Sequence, residues 1–299
     1  MTEATGYTDI YFQSADGLRL HARDYHCANS SLAPVLCLPG LTRNSRDFEA
    51  VAPVLAQKRR VIALDFRGRG LSQHAADPMS YRADVELGDV ISLLDGLKIG
   101  RVALLGTSRG GIVAMLMAAM VKDRLAGIFL NDIGPRLEAP GLLRIRSYLG
   151  VGSGFRTWDE AVEGLQRSNP GFEKLTGAEW RSFARRVFRV VDGGLRPDYD
   201  PALASTFPTV EDIEAGKVAE LWEVFAQLQD LPAAVLRGEN SDLLSAETVR
   251  EMKAMNKTLT ATLVPDRGHA PFLDEPHSRD AISRWLESVD DYFLAAPAP

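Results

Sequence analysis

Cysteine is scarce in this chain of 299 residues, which contains only Cys27 and Cys37. Their spacing matches no metal-binding motif, and although they could form a disulfide, two buried free thiols are the interpretation favoured for a cytosolic protein. The five histidines likewise form no HExxH motif and no Cys/His cluster; they are His21, His26, His74, His269 and His277. We therefore expect no metal site.

Long hydrophobic runs and an excess of positive charge are also missing. No apolar run approaches the roughly 20 residues that a membrane-spanning helix needs. With a formal net charge of −6 and a pI near 5.5, the chain has no positive field to attract nucleic acid or anionic lipid. The beginning of the chain, MTEATGYTDIYF, lacks a basic segment followed by an apolar one, so no signal peptide is predicted. These absences predict a cytoplasmic protein that binds neither nucleic acid nor membrane, and they leave a homo-oligomer open.

What the chain does contain is the composition of a globular protein, 45% hydrophobic and 25% charged. Two strands are predicted in residues 8–25, joined at Asp16-Gly17, a dipeptide that tolerates the positive φ of a tight turn. Six short apolar runs follow without strict alternation, as in strands buried on both faces of a parallel sheet. They cover residues 35–39, 60–66, 101–107, 125–132, 233–239 and 259–266. Between these runs, residues 83–97 and 110–120 have the spacing of apolar residues that is typical of helices. The alternation predicts an α/β fold with a mostly parallel, doubly wound sheet of about eight strands.

This alternation of strands and helices stops between residues 134 and 215. Helical stretches take its place, at 157–168 and 177–191 among others. In the second, the apolar stripe is Trp180, Phe183, Val187 and Val191, and the basic stripe is Arg181, Arg185 and Arg189, which we interpret as the solvated face. We predict an all-helical cap at 134–215, inserted into a core domain formed by residues 1–133 and 216–299. Apolar cap residues should then line a pocket for a small organic substrate.

The pentapeptide Gly106-Thr107-Ser108-Arg109-Gly110 lies between a predicted strand and a predicted helix, the setting of the G-x-S-x-G nucleophile turn. Its glycines allow the backbone to approach closely in a strained turn. Ser108 would then project at the N-terminus of a helix, whose dipole stabilises developing negative charge. The alternative is a glycine-rich connection in which the serine has no function.

A serine hydroxyl is a weak nucleophile and needs a base, which an acid must orient. His269 lies in PDRGHAPFLDEP, after the last predicted strand and at the same sheet edge as Ser108. Asp242 lies in LRGENSDLLS, after the preceding strand, so the chain order is Ser, Asp, His, as expected for this nucleophile turn. We therefore predict Ser108, Asp242 and His269 as the catalytic residues. His277, in the first turn of the last helix, is a weaker candidate base.

Two backbone N–H groups are predicted to stabilise the oxyanion. One belongs to Arg109, which follows the nucleophile, and the other to Leu41, in the loop after residues 35–39. The side chains of Arg109 and Arg43 could bind a substrate carboxylate in a bidentate manner. An arginine beside the nucleophile could equally pair with an acid of the protein, and this structural role is the favoured interpretation.

Together these motifs resemble those of the α/β-hydrolase fold superfamily, in its capped serine-hydrolase branch. The resembling stretches run from residue 35 to the final helix; they are Pro39-Gly40 with the following loop, DFRGRGLS (65–72), GTSRGG (106–111), Asp242 within RGENSD, and GHAPFLDEP (268–276). The family implies that residues 65–72 form a structural loop near the active site. Pro39 departs from the pattern, because relatives often carry a histidine there that orders the oxyanion loop. The serine nucleophile argues against the epoxide-hydrolase and haloalkane-dehalogenase branches, which use aspartate.

The resemblance also leaves a second acid open. Some members of this fold take the triad acid from the end of the strand that follows the nucleophile helix, and here that position is Asp132, in FLNDIGP. Asp242 is the preferred acid because of its motif context. Asp132 would otherwise hold the chain where it leaves the sheet for the cap.

The resemblance implies a cofactor-independent serine hydrolase that cleaves a small ester or a similarly activated carbonyl compound. The same triad also serves lactone opening and the hydrolysis of a carbon–carbon bond in a vinylogous diketone, and both alternatives stay open. A different class is a receptor-like member of the fold, which senses a ligand with slow or no turnover.

Overall fold

The computed structural model describes residues 6–28, 30–151 and 154–295. Its strands are β1 (Thr8–Gln13), β2 (Arg19–Tyr25), β3 (Val35–Leu38), β4 (Val61–Asp65), β5 (Val102–Thr107), β6 (Leu125–Asn131), β7 (Phe188–Val191), β8 (Gly194–Pro197), β9 (Ala233–Gly238) and β10 (Thr260–Val264). Its α-helices are α1 (Ala52–Leu55), α2 (Ala83–Gly96), α3 (Arg109–Met120), α4 (Ala139–Tyr148), α5 (Trp158–Ser168), α6 (Gly177–Val187), α7 (Val210–Glu214), α8 (Trp222–Phe225), α9 (Ala246–Met255) and α10 (Pro276–Ala295). Short 3₁₀ turns lie at Ser45–Phe48, Pro78–Ser80, Lys122–Arg124, Pro201–Thr206 and Ala226–Leu228.

One sheet of eight strands forms the centre of the molecule, in the order β1-β2-β4-β3-β5-β6-β9-β10. β1 is antiparallel to β2 and β2 to β4, whereas the remaining neighbours are parallel. Every residue of β3, β4 and β6 is buried, which explains the continuous apolar runs in their sequences. The predicted α/β fold, with a mostly parallel, doubly wound sheet behind an antiparallel hairpin, is confirmed.

Helices cover both faces of this sheet. Val90 of α2 and Val113 of α3 share one buried cluster with Leu104 of β5. α10 packs on the other face, where the ring of Trp285 lies 5.3 Å from that of Phe129 in β6. Among the described residues, no helix combines the length and the apolar content that a membrane span requires. Because the central strands are parallel, the loops that follow β3, β5, β6, β9 and β10 meet at one edge of the sheet.

The chain between β6 and β9 forms a mostly helical cap at this edge. The prediction of an all-helical segment is wrong in one place: the helix expected over 177–191 ends at Val187, and β7 and β8 form an antiparallel hairpin. Its turn is Asp192-Gly193, with φ values of 49° and 77°, as the central positions of a type I′ hairpin turn require. The β-branched pair Val190-Val191 before an Asp-Gly dipeptide was the sequence signal for this hairpin.

The predicted boundary between cap and core, at residues 215 and 216, stays a prediction. It falls just after α7, but Ile213 of α7 and Phe225 of α8 are buried in the same cluster as the core helices. The outermost residues of the predicted core range, 1–5 and 296–299, lie outside the described residues.

Both cysteines are free thiols, as interpreted from the sequence. Cys37 in β3 is fully buried, and burial raises the pKa of its thiol well above the usual range. Cys27 is instead partly exposed, so the expectation that both thiols are buried is wrong for this residue.

Candidate active site

Ser108 occupies a sharp turn between β5 and α3. Its backbone has a φ of 50° and a ψ of −113°, a conformation that residues other than glycine rarely adopt. The close packing of this turn requires glycine on both sides of the serine. A Cβ atom added to Gly110 would lie 2.1 Å from the carbonyl oxygen of Leu38. A Cβ atom added to Gly106 would lie 2.5 Å from the carbonyl oxygen of Gly110. The strained turn predicted for this motif is therefore present, and α3 begins directly after Ser108.

Three side chains from separate loops meet at this turn. The Nε2 atom of His269 lies 2.9 Å from the Oγ atom of Ser108, and its Nδ1 atom lies 2.8 Å from the Oδ2 atom of Asp132. The loops after β10, β5 and β6 supply the three residues. An ionised carboxylate can only accept hydrogen bonds, so Nδ1 carries the proton and the Nε2 lone pair faces the serine hydroxyl. His277, the weaker candidate base, lines a different depression of the surface.

Asp132 is held by hydrogen bonds on both carboxylate oxygens. Oδ1 accepts from the N–H of Gly238 at 2.7 Å, and Oδ2 accepts from the hydroxyl of Ser241 at 2.6 Å as well as from His269. The residue is fully buried, and its φ of 54° lies in the left-handed region, where the chain turns away from β6. A buried carboxylate with this many donors keeps one orientation, so it can fix the plane of the imidazole ring.

The expected contact between Asp242 and His269 is wrong. The carboxylate of Asp242 instead forms a bidentate ion pair with Arg144 of α4, at 2.6 Å from Nε and 2.8 Å from Nη2. Burial would raise the pKa of Asp242, but the hydrogen bonds and the charge of Arg144 bring it below its usual value. The reason for the difference is local: the loop after β9 presents Ser241, and not Asp242, to the site. The alternative acid, Asp132, is the observed neighbour of the imidazole.

The Asp242–Arg144 pair joins the core to the cap. The backbone carbonyls of Asp242 and Leu243 accept hydrogen bonds from the N–H groups of Gly141 and Glu138, both 3.0 Å long. The ion pair and these two backbone bonds therefore fasten the first cap helix to the loop after β9.

We expect Arg144→Gln to lower the free energy of unfolding by about 2 kcal/mol, because it leaves a partly buried carboxylate without its partner. It should raise KM more than it lowers kcat, since it frees a cap helix without touching Ser108 or His269. The pKa of Asp242 is lower in the folded protein than its ordinary value, so the ion pair stabilises the fold at any pH above that ordinary value. This stabilisation is lost as the pH falls through the folded-state pKa. Thermal melts of the variant and the wild-type protein, from neutral to strongly acidic pH, should therefore show a Tm difference that shrinks in acid.

A double-variant cycle controls this measurement. Once Arg144 is changed, Asp242→Asn should cost little further stability, because the interaction is already lost. Additive losses in the double variant, or a Tm difference that is constant in acid, would contradict the assigned pair.

The two predicted oxyanion donors belong to loops that adjoin Ser108. The N–H of Arg109 is the first of α3 and so has no acceptor within the helix. Leu41 follows Gly40, where an added Cβ would lie 3.8 Å from the Cβ of Ser108, and Leu41 borders the same cavity as the serine. Both positions are compatible with the predicted role, which stays a prediction.

A buried set of charges holds the Leu41 loop in place. Arg69 donates from Nε to the carbonyl of Leu41 at 2.8 Å and pairs with Glu86 at 2.7 Å. Arg109 pairs with the same carboxylate at 2.9 Å and donates to the carbonyl of Tyr81 at 2.7 Å. The side chain of Arg109 thus has the structural role favoured from the sequence. Arg109 is not among the residues that line the cavity, which does not favour the alternative role in substrate binding. Through Arg69, residues 65–72 contact this loop, in agreement with the structural loop near the active site that the resemblance implied.

Arg43 does border the cavity, and its guanidinium is already engaged. It forms a bidentate ion pair with Asp47, with Nε 2.8 Å from Oδ2, and lies over the ring of Phe183 at 4.7 Å from the centroid. A substrate contact of Arg43 stays a prediction.

Ser108 and His269 line a cavity of about 290 Å³. Its apolar wall comes chiefly from the cap, through Ile145, Tyr148, Leu165, Phe183 and Phe188 among others. The expectation of an apolar, cap-lined pocket is confirmed. Within the described ranges of the chain, no group of three or more His, Cys, Asp or Glu side chains could hold a metal ion.

Three residues of the site were missed in the sequence. Ser241 bonds Asp132, and Asn131 donates to the carbonyl of Pro271 at 2.9 Å, which ties the His269 loop to β6. Arg186 borders the cavity from α6. Of these, Arg186 had a signal: it follows Phe183 by three residues and so places a charge within the apolar stripe of the helix.

Comparison with known proteins agrees with this architecture. Residues 35–279 match the model of the alpha/beta hydrolase family. A 3-hydroxybutyrate-oligomer hydrolase from Cupriavidus necator is 38% identical over 267 residues, which cover 86% of this chain and 90% of the relative. A 2-(acetamidomethylene)succinate hydrolase from Mesorhizobium japonicum is 27% identical over 235 residues, covering 79% of this chain and 81% of the relative. The crystal structure of an alpha/beta hydrolase from Novosphingobium aromaticivorans matches with a TM-score of 0.88 and 42% identity, covering 95% of this chain and 99% of the other. The chain therefore belongs to the alpha/beta hydrolase family, and it is a hydrolase.

Proposed function

We propose that this protein is a serine hydrolase that cleaves carboxylic esters, with Ser108, His269 and Asp132 as its catalytic triad. The observation that carries the proposal is the pair of contacts, 2.9 Å and 2.8 Å long, that joins the serine to the imidazole and the imidazole to the carboxylate. Such a chain lets the imidazole take the serine proton while the carboxylate holds the ring and stabilises the imidazolium.

The reaction takes two steps. First, the Oγ atom of Ser108 bonds to the ester carbonyl carbon and its proton moves to Nε2 of His269; the carbon–oxygen bond to the alcohol then breaks as that oxygen takes the proton. Next, a water molecule that His269 deprotonates bonds to the acyl carbon, the bond to Oγ breaks, and the serine regains a proton as the acid leaves. The N–H groups of Arg109 and Leu41 stabilise the oxyanion in both steps, each contributing about 10²–10³ in rate.

The substrate class is proposed from the relative and from the cavity. The enzyme from Cupriavidus necator is named a 3-hydroxybutyrate-oligomer hydrolase and aligns over 90% of its length. Oligomers of a short hydroxy acid are chains of esters with small branches. A cavity of about 290 Å³ with apolar walls lies just below the usual range of volumes for ligand sites and suits such units better than a long acyl chain. We therefore propose short linear esters of 3-hydroxybutyrate, or of a similar hydroxy acid, as substrates.

A panel of substrates tests this proposal. We expect p-nitrophenyl acetate and butyrate to be hydrolysed with a kcat/KM about tenfold or more above that of the dodecanoate, because the cavity excludes the longer chain. The linear dimer and trimer of 3-hydroxybutyrate should be cleaved to monomer, with the Ser108→Ala protein as the control for background hydrolysis. Turnover of a lactone or of a vinylogous diketone without turnover of these esters would contradict the proposal. A rise in Tm with the dimer but no turnover would indicate the receptor alternative.

A further inference from the structure

Among the residues that the structure describes, the buried side chain of Arg186 has no polar partner. It lies on α6, is 7% exposed, and borders the cavity that contains Ser108. Within the described residues its guanidinium makes no hydrogen bond and no ion pair; Nε is buried without an acceptor, and the group lies over the ring of Phe272 at 4.7 Å from the centroid. A ligand in the cavity can therefore reach a cation whose hydrogen-bonding capacity is unused.

The other buried arginines of the described chain are paired with acids. Each has a carboxylate oxygen at 2.7 Å: Arg59 with Asp290, Arg67 with Asp89 and Arg69 with Glu86. A guanidinium buried without such a partner loses hydration that the ring of Phe272 offsets only in part, which destabilises the fold. Within the described ranges Arg186 nonetheless lies in the wall of the cavity without an acid partner. A buried charge that lowers the stability of the fold, and that lies in the same cavity as the proposed nucleophile, is typical of a residue that binds a ligand.

The charges around the cavity leave Arg186 free to bind an anion. Arg43 and Asp47 also border the cavity, but they form an ion pair with each other. Asp47, Asp274 and Glu49 act on Arg186 only through their charges, since none of them forms an ion pair with it in the described part of the chain. Burial lowers the pKa of Arg186, and the charges of these acids oppose this only in part. A carboxylate brought by the ligand would supply the missing acceptors in the bidentate geometry that a guanidinium prefers.

The position of Arg186 favours a carboxylate that belongs to the leaving alcohol. Phe272, under the guanidinium, follows His269 by three residues in the same loop. His269 gives its proton to the leaving oxygen, so the leaving group lies on the side of the cavity that this loop forms. In a hydroxy-acid oligomer, the alcohol released from the ester nearest to the carboxyl end carries the free carboxylate.

We propose that Arg186 binds the terminal carboxylate of the substrate, so that the enzyme cleaves hydroxy-acid oligomers at the ester nearest to their carboxyl end and releases one monomer at a time. This inference rests on the proposed ester hydrolase function and deepens it. Each cleavage consumes one water molecule, which supplies the hydroxyl of the new acid and the hydrogen of the released alcohol.

The test compares the 3-hydroxybutyrate dimer with its terminal primary amide, which has nearly the same shape without the charge. For the wild-type protein we expect kcat/KM for the acid to exceed that for the amide by about 10- to 100-fold, the effect of charge-assisted hydrogen bonds. In Arg186→Gln this ratio should fall to about one. Arg185→Gln changes the neighbouring, exposed arginine of the same helix and should keep the wild-type ratio. A ratio does not depend on how much of each variant is folded.

A binding measurement separates failure of this inference from failure of the proposed function. The Tm of the wild-type protein should rise with 3-hydroxybutyrate and not with 3-hydroxybutyramide, and Arg186→Gln and Arg186→Met should lose the rise. If neither dimer is cleaved but this pattern holds, the proposed ester substrate is wrong and the carboxylate site stands.

Other outcomes would overturn the site. Equal rates or equal stabilisation with acid and amide, or a preference for the acid that survives in the Arg186 variants, would show that the guanidinium does not bind the carboxylate. Without ligand, Arg186→Met should melt at or above the wild-type Tm, since it removes an unpaired buried charge. A large loss of Tm in both variants would instead assign Arg186 a structural role.

Discussion

Replacing Ser108 with alanine is expected to lower kcat by about 10⁶-fold, the loss observed when the nucleophile of a well-studied serine protease is removed. The Oγ atom of Ser108 is the hydroxyl oxygen that lies 2.9 Å from the proposed base, and alanine offers no atom to replace it. The fold should be preserved, because the Cβ atom remains and the φ of 50° at this position is already accepted by a residue with a side chain. Initial rates with p-nitrophenyl acetate and a thermal melt of the variant measure both effects.

A fluorophosphonate probe checks the same residue without a substrate. In the wild-type protein the label should lie on Ser108, located by peptide mass, and the Ser108→Ala protein should take none. Ser288→Ala changes an exposed hydroxyl on α10 and is the matched control, which should keep both label and rate. A label on another serine, or an unlabelled wild-type protein, would rule out Ser108 as the nucleophile.

Replacing Asp132 with asparagine is expected to lower kcat by about 10⁴-fold, as the corresponding change does in a protease triad. The N–H of Gly238 holds one oxygen of Asp132 at 2.7 Å, so it would retain the oxygen of the new amide and leave the amide nitrogen facing His269. An N–H₂ group donates where the carboxylate accepts, so the imidazole would lose the tautomer that presents its Nε2 lone pair to Ser108. The kcat at saturating substrate, measured at one neutral pH, reports this loss.

Asp242→Asn is the matched control for this experiment, since it makes the same change in the other candidate acid. It weakens the ion pair with Arg144 and leaves the carboxylate beside His269 intact, so Tm and KM should change more than kcat. Should Asp242→Asn prove the more damaging change to kcat, the role proposed for Asp132 is wrong. The assignments of Ser108 and His269 would survive that result.

Local patterns in the sequence were sufficient to predict the architecture and two residues of the candidate site, Ser108 and His269. Apolar runs without alternation predicted the buried parallel strands, because burial on both faces leaves no place for polar residues. The strand, glycine-flanked serine and helix predicted the turn at Ser108, and the structure shows that only glycine fits beside Leu38 there. His269 was a candidate because it follows the last strand, and parallel strands bring their carboxyl ends to one edge of the sheet.

Only the tertiary structure decided which side chains pair at that edge. Asp132 and Asp242 follow neighbouring strands, so the sequence leaves both within reach of the same imidazole. The choice depends on two contacts: Ser241 donates a hydrogen bond to Asp132, and Arg144 forms an ion pair with Asp242. Arg144 lies 98 residues before Asp242 in the chain. The guanidinium of Arg186 has no partner in the described part of the chain for a reason of the same kind, since its surroundings are formed where α6 meets the His269 loop. Contacts between residues far apart in the chain depend on how the cap docks on the core, and local sequence patterns do not contain that information.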